Sequence, residues 1–77
     1  MISDKGRQLL IEFGSNIRKL RLSKKLSYRQ MSLLCDIDAS NLKRIEKGNV
    51  NATILTLHEL ARALEVNVDV LLKYKPE

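Results

Sequence analysis

The sequence predicts an all-α fold, a compact bundle of five helices that forms one domain over residues 1–77. Three observations support this prediction. The chain has 77 residues, enough to bury one modest hydrophobic core. Its apolar residues make up 44% of the chain and recur every three or four positions, which is the period of a helix. The short alternation in EVNVDV opens into an apolar helical turn, so no segment predicts a strand.

One long helix is predicted over about residues 1–25, with Ser3 as a candidate N-cap. Its buried stripe consists of apolar residues three or four positions apart: Leu10, Phe13, Ile17 and Leu20. Gly6 and Gly14 would each weaken this helix by about 1 kcal/mol relative to alanine. Two alternatives follow: either the helix runs through both glycines, or it begins near Gly14 and residues 1–12 form an N-terminal arm.

The segment 27–48, SYRQMSLLCDIDASNLKRIEKG, predicts two short helices joined by a very short turn. The first covers about residues 28–35, and Ser27 and Gln30 have the spacing of a capping box. The second covers about residues 39–47, with Asp38 as its N-cap and Gly48 where a positive φ is favoured. Helices this close in sequence must cross steeply. Their shared apolar seam is predicted to comprise Met31, Leu34, Cys35, Ile37, Leu42 and Ile45.

The outward face of the second of these helices is small at its beginning and basic further along. It is predicted to carry Ala39, Ser40, Lys43, Arg44 and Lys47. A helix that enters a DNA major groove needs small or hydrogen-bonding residues first and cations near the phosphates. The alternative is an ordinary solvated helix face, because any such face carries lysine and arginine.

A loop over residues 47–52 and two further helices complete the predicted bundle. Thr53 is a candidate N-cap for a helix over residues 54–64, and Asn67 is one for a short helix over about residues 68–73. Pro76 is expected to end the regular structure.

The chain contains 14 Lys and Arg against 9 Asp and Glu, a net charge of +5. A small basic domain favours polyanions, of which nucleic acid is the commonest. A membrane partner is not expected, because the basic residues are spread over several segments and no stretch approaches about 20 apolar residues. The single cysteine, Cys35, excludes an intramolecular disulfide. With no secretory signal at the start, we expect a reducing, cytoplasmic location.

Nothing in the sequence predicts an enzyme, a metal site or a cofactor. The single histidine, His58, lies in the predicted fourth helix, and its neighbour Glu59 points in a different direction. There is no Gly-rich phosphate loop and no nucleophile elbow. Cys35 has apolar neighbours, which favours a core thiol over a reactive one.

Three blocks of the sequence together resemble one known family. They are FGSNIRKLRLSKKLS, YRQMSLLCDIDASNLKRIEKG and NATILTLHELARALEVNVDVLL, within roughly residues 13–74. In order and spacing they are similar to the phage-repressor and Cro-like helix-turn-helix family, also called the XRE family. The resemblance implies a lambda-repressor-like fold and a regulator of transcription that binds operator DNA. Ser32, Asp36 and Glu65 depart from the family pattern. Asp36 replaces a turn glycine, so we expect it to tolerate left-handed backbone there.

The resemblance also implies which residues contact DNA. Those expected at the bases, or beside them, are Ala39, Ser40, Asn41, Lys43 and Arg44. Those expected at the sugar–phosphate backbone are Lys47, Asn49, Asn51 and, through its hydroxyl, Tyr28. Arg21 is expected to pair with Glu46, which would position Arg21 against a phosphate. The alternative for this last pair is two unrelated surface charges.

Double-stranded DNA and a second copy of the chain are the expected partners, because one recognition helix covers only a few base pairs. A homodimer would bind the two halves of a near-palindrome. Its candidate surfaces are Leu71, Leu72 and Tyr74, or residues 2–11. An antitoxin or other protein-interaction module with the same fold is the main alternative. A protein partner such as a toxin or a polymerase also stays open.

Overall fold

The structure, a computed structural model, describes residues 3–73 and is all-helical over that range. The five helices are α1 (Asp4–Ser23), α2 (Tyr28–Ser32), α3 (Ala39–Glu46), α4 (Ile54–Leu64) and α5 (Val68–Leu71). The predicted all-α five-helix fold is therefore confirmed. Tyr74 and Pro76, together with residues 1 and 2, lie outside the described residues.

One hydrophobic core joins all five helices. The fully enclosed side chains at its centre are Ile17, Met31, Leu42, Leu60, Leu64 and Leu71. Each helix contributes at least one of them, so no helix packs independently of the rest. Within residues 3–73, no helix combines the length and apolar character needed to cross a membrane.

Helix α1 runs without a break through both of its glycines, which decides between the two alternatives for the N-terminal segment. Ser3 caps it, because the Ser3 hydroxyl accepts a hydrogen bond from the Gly6 backbone N–H at 3.0 Å. A Cβ at Gly14 would overlap the backbone carbonyl oxygens of Ile45 and Glu46. Gly14 therefore lets α1 approach the backbone at the end of α3 directly.

Helix α2 begins as predicted but ends at Ser32, three residues early. Both hydrogen bonds of the Ser27–Gln30 capping box are present. The Ser32 hydroxyl donates to the Arg29 carbonyl, and the next backbone N–H groups bond to carbonyls three residues back, which tightens the chain out of the α-helix. Leu34 consequently lies outside the predicted seam and is 47% exposed, whereas the other five seam residues are buried.

The turn between α2 and α3 is held by α4 rather than by left-handed backbone. The Asp36 backbone N–H donates to Glu59 Oε1 at 2.9 Å. Among the non-glycine residues 3–73, only Lys25 and Glu65 have a positive φ, 57° in each case. The expectation of a left-handed Asp36 is therefore wrong; the left-handed positions are instead Lys25, after α1, and Glu65, at the end of α4.

Helices α3, α4 and α5 start where predicted. Thr53 caps α4 through its hydroxyl, while Asp38 and Asn67 stand at the N-cap positions without a side-chain capping bond. Helix α3 ends one residue earlier than predicted, and Gly48 follows with φ of 76°. Helix α5 is two residues shorter than predicted and ends at Leu71.

Candidate nucleic-acid interface

Helix α3 presents one buried face and one exposed face. Leu42, Ile45 and Glu46 are buried, with the two apolar side chains in the core. The exposed face carries Ser40, Asn41, Lys43, Arg44 and Lys47, with Ala39 half-buried at its beginning. No carboxylate of residues 3–73 lies within 4 Å of the cations of this face. The exposed face of α3 therefore keeps its positive charge.

The Arg44 side chain lies beside a cleft between α3 and the start of α4. Arg44 Nη1 donates to Asn41 Oδ1 at 3.4 Å, a long hydrogen bond one helical turn apart. Both residues line the cleft, as do Asn51 and Thr53. The structure thus brings together three of the predicted contact residues, two on the helix and one on the loop that follows it. One weak bond leaves most of the guanidinium donors of Arg44 free for a base.

A buried polar cluster lies where α1, α2 and α3 meet. Arg21 donates to Glu46 through Nε to Oε2 at 2.7 Å and through Nη2 to Oε1 at 3.2 Å. The Tyr28 hydroxyl also donates to Glu46 Oε1, at 2.7 Å. The remaining Arg21 nitrogen, Nη1, donates to the Leu26 carbonyl at 2.7 Å. Because one residue comes from each helix, this cluster fixes the start of α2 and the end of α3 relative to α1.

The expected pairing of Arg21 with Glu46 is present, but its expected contact with a phosphate does not fit the structure. The two side chains are only 5% and 2% exposed, and all three guanidinium nitrogens of Arg21 have partners inside the protein. Tyr28 is half-buried, and its hydroxyl donates to Glu46. The hydrogen bond with Glu46 raises the pKa of Arg21, so the buried guanidinium stays charged.

Arg18, which is not among the residues predicted from the sequence to contact DNA, lies at the exposed rim of this cluster. Arg18 Nη1 is 3.8 Å from Glu46 Oε1, and its side chain is 56% exposed. The sequence did contain a sign of this position, because residues three apart on a helix, such as Arg18 and Arg21, share a face. Lys43 approaches from α3, with Nζ 5.5 Å from the centroid of the Tyr28 ring. Two exposed cations thus flank the buried pair.

The loop after α3 is fixed by the first turns of α1. Gly48 packs so tightly on α1 that a Cβ there would lie 2.7 Å from Ile11 Cα. Arg7 Nη2 donates to Asn49 Oδ1 at 3.1 Å. Lys47, Asn49 and Asn51 are exposed, so the loop residues expected at the DNA backbone are accessible.

The two residues with side chains common in catalysis, Cys35 and His58, lie outside the exposed face of α3. Cys35 is buried, and its burial raises the pKa of the thiol, which disfavours the reactive thiolate. His58 is exposed on α4. Within residues 3–73, no group of three or more His, Cys, Asp or Glu could hold a metal ion.

Comparison with family models matches residues 17–71 to the helix-turn-helix family HTH_3. The chain belongs to this family. It is 37% identical over 54 residues to "Uncharacterized HTH-type transcriptional regulator y4dJ" of Sinorhizobium fredii (strain NBRC 101917 / NGR234), covering 70% of each chain. It is 30% identical over 63 residues to "Control protein C.BamHI" of Bacillus amyloliquefaciens, covering 80% of this chain and 78% of that one.

Solved structures agree with this membership. The restriction-modification controller protein C.AhdI from Aeromonas hydrophila superimposes with a TM-score of 0.78 at 32% identity, over 80% of this chain and 94% of that chain. An HTH_3 family transcriptional regulator from Vibrio cholerae gives a TM-score of 0.84 at 26% identity, over 91% of this chain and 39% of that chain. The protein is therefore a helix-turn-helix regulator of transcription that binds DNA, and not an enzyme.

Proposed function

We propose that this regulator binds a near-palindromic DNA operator as a homodimer in the cytoplasm, with α3 in the major groove. The observation that carries the proposal is the exposed face of α3, whose cations have no carboxylate within 4 Å among residues 3–73. The buried Arg21–Glu46 pair holds that helix rigidly against α1. A rigid helix loses little conformational entropy when it enters the groove, which favours binding.

The proposed contacts fall into two groups. Residues at the bases are Ala39, Ser40, Asn41 and Arg44. Residues at the phosphates are Lys43, Lys47, Asn49 and Asn51, joined by Arg18 at the rim of the buried cluster. Arg21, which is buried, and Tyr28, which is half-buried and donates its hydroxyl hydrogen to Glu46, support these contacts without touching DNA in this proposal.

The proposed dimer surface is an apolar edge made of Leu9, Ile54, Leu55 and Leu72. These side chains are 50%, 69%, 78% and 54% exposed. Leu9 and Leu72 border one apolar hollow together with Leu57, and Ile54 precedes Leu57 by one helical turn. One residue from each surface considered from the sequence, Leu9 from residues 2–11 and Leu72 from the end of the chain, thus borders the same hollow. Leu71 does not contribute, because it is fully buried.

Selection of bound sequences from random duplex DNA, followed by salt titration of the best site, tests the proposal. We expect a near-palindromic consensus with half-site centres about 34 Å apart, and log K that falls linearly with log salt. A consensus without symmetry would contradict the dimer. Salt-independent binding, or none, would favour the protein-interaction alternative.

Control of a restriction–modification system is a second, more specific candidate role. It is favoured by the similarity to C.BamHI and to the restriction-modification controller C.AhdI, whose chain is matched over 94% of its length. The test is whether the selected consensus occurs upstream of the protein's own gene and of a neighbouring restriction endonuclease gene. Absence of the site from both places would reject this role and leave the operator proposal intact.

A further inference from the structure

The first turns of α1 bring an arginine to the loop that follows the recognition helix. Residues 3–16 precede the part of the chain that matches the family model. They nevertheless form the ordered beginning of α1, capped by Ser3. Their contacts with the loop are Ile11 against Gly48 and Arg7 against Asn49. The position of Arg7 is thus set by packing and by a hydrogen bond 42 residues away in sequence.

Arg7 has the properties of an anion-binding side chain. It is exposed, and among residues 3–73 no carboxylate lies within 4 Å of it. Toward the other residues of 3–73, Arg7 uses one guanidinium nitrogen, Nη2, which donates to Asn49. The other donors are available in the planar fork that suits a phosphate.

Asn49 is oriented by the same contact. Because its Oδ1 accepts the hydrogen bond from Arg7, one lone pair of that oxygen is used, and both Nδ2 hydrogens remain as donors. Asn49 and Arg7 therefore present mainly donors at this point of the surface. A paired set of amide and guanidinium donors fits the oxygens of a phosphate.

We propose that Arg7, held by Asn49, binds a phosphate of the operator backbone and adds one electrostatic contact per protomer beyond the helix-turn-helix segment. This inference rests on the proposed DNA contact of the loop after α3. Such a contact is independent of base sequence, since phosphates carry no sequence information directly.

The test compares Arg7→Ala with Lys5→Ala in DNA-binding titrations between 50 and 200 mM salt, using the selected operator. Both variants remove one exposed charge from the first turns of α1, but residues two positions apart point to nearly opposite sides of a helix. We expect Arg7→Ala to reduce the salt slope by about 1 per protomer, so that the affinity lost over this salt range shrinks by about threefold per arginine. Lys5→Ala should leave the slope as in the wild type.

Two further measurements locate the contact. A methylphosphonate linkage replaces one charged phosphate of the operator by a neutral group. When the phosphate bound by Arg7 is neutralised in this way in each half-site, the wild type and Arg7→Ala should bind with equal affinity. In an Asn49→Ala background, Arg7→Ala should have a smaller effect, because the guanidinium has lost its anchor.

Equal slopes for the Arg7 and Lys5 variants would overturn the inference, as would an Arg7 variant that dimerises poorly while keeping the wild-type slope. Failure of the wild type to bind DNA in a salt-dependent way would instead reject the proposed function itself.

Discussion

At the scale of single residues, this protein separates the cations that hold the fold from those that face solvent. Arg21 is 4% exposed and spends its donors on Glu46 and on the Leu26 carbonyl. Arg44, on the exposed face of α3, forms one long hydrogen bond with Asn41. The two arginines carry the same charge but differ in accessibility. Arg44 is hydrated and can bind a nucleic acid, whereas Arg21 has already lost its water to burial and has its donors bound inside the protein.

Replacement of Arg44 by alanine should relax base preference at one position of each half-site. A guanidinium that donates to guanine O6 and N7 is worth about 1–3 kcal/mol of discrimination. The measurement is the affinity for operators mutated at each position in turn. Arg62→Ala is the matched control, because Arg62 is an exposed arginine on α4 whose partner is Glu59. Equal specificity profiles for the two variants would remove Arg44 from the proposed base contacts.

Replacement of Glu46 by alanine should destabilise the whole domain. It leaves the buried charge of Arg21 and the Tyr28 hydroxyl without their acceptor, and breaking a buried pair in this way costs about 3–5 kcal/mol. Since about 1 kcal/mol shifts Tm by 4–8 °C in a domain of this size, the loss should be large in thermal unfolding followed by circular dichroism.

The exposed ion pair of Asp69 and Lys73 provides the comparison for Glu46. Its atoms are 3.1 Å apart, but both side chains are more than half exposed. Asp69→Ala should therefore cost less than about 1 kcal/mol. Comparable losses of unfolding free energy in Glu46→Ala and Asp69→Ala would show that burial does not make the Glu46 pair more stabilising than an exposed pair.

At the scale of helices, close backbone approach decides how α1 meets α3. Gly14 sits in the middle of a 20-residue helix, where glycine is intrinsically unfavourable. It is required there because any larger residue would meet the carbonyls at the end of α3. At Gly14 the intrinsic helix preference, which favours a larger residue, is therefore outweighed by the need for close contact between α1 and α3. This contact fixes the position of α3, and with it the position of the exposed cations on α3.

Gly14→Ala should lower stability even though alanine favours the helix by about 1 kcal/mol. The added methyl group overlaps backbone atoms of α3 that cannot move like a flexible side chain, and overpacking of this kind costs about 1–3 kcal/mol. Urea denaturation of the variant measures the difference. Ser15→Ala serves as control, since Ser15 is exposed on the same helix and should be neutral or slightly stabilised. A more stable Gly14→Ala variant would mean that the two helices separate easily.

At the scale of the whole molecule, the chain ends of the described structure converge on α4. Leu9 near the start and Leu72 near the end flank one hollow together with Leu57 of α4, and the exposed Ile54 lies one helical turn before Leu57. The cleft beside Arg44 is lined by Thr53 and Thr56 from that same end of α4. In the dimer proposed through the apolar edge, the starts of the two α4 helices and the clefts beside Arg44 that they border would lie toward the interface.

Ile54→Glu should convert the proposed dimer to a folded monomer. Ile54 is 69% exposed, so its loss removes little from the core, and a carboxylate at the start of a helix is favourable. Two like charges facing each other across a two-fold axis would oppose pairing. Sedimentation at micromolar concentration measures the outcome. Leu33→Glu makes the same change at a leucine that is 79% exposed on another part of the surface, and it should stay dimeric.

Much of the fold could be predicted because short-range patterns specify it. The 3.6-residue period of Leu42 and Ile45 placed α3 with its charged side outward, and caps at Ser27 and Thr53 located the starts of α2 and α4. These features depend on residues within one or two turns, so they are visible in the sequence. The exact ends of α2 and α5 were missed, since the last turn of a helix depends on competing local hydrogen bonds.

The sequence by itself determined the number and order of the helices, the excess of positive charge and the segment that is proposed to face DNA. Only the tertiary structure decided which of those charges are used inside the protein. Arg21, Tyr28 and Arg18 meet Glu46 across separations of 18 to 28 residues, and Arg7 meets Asn49 across 42. Which side chains are buried, and which partners they bind, depends on segments far apart in sequence that pack into one core. A local sequence pattern therefore does not show how exposed each charged side chain is.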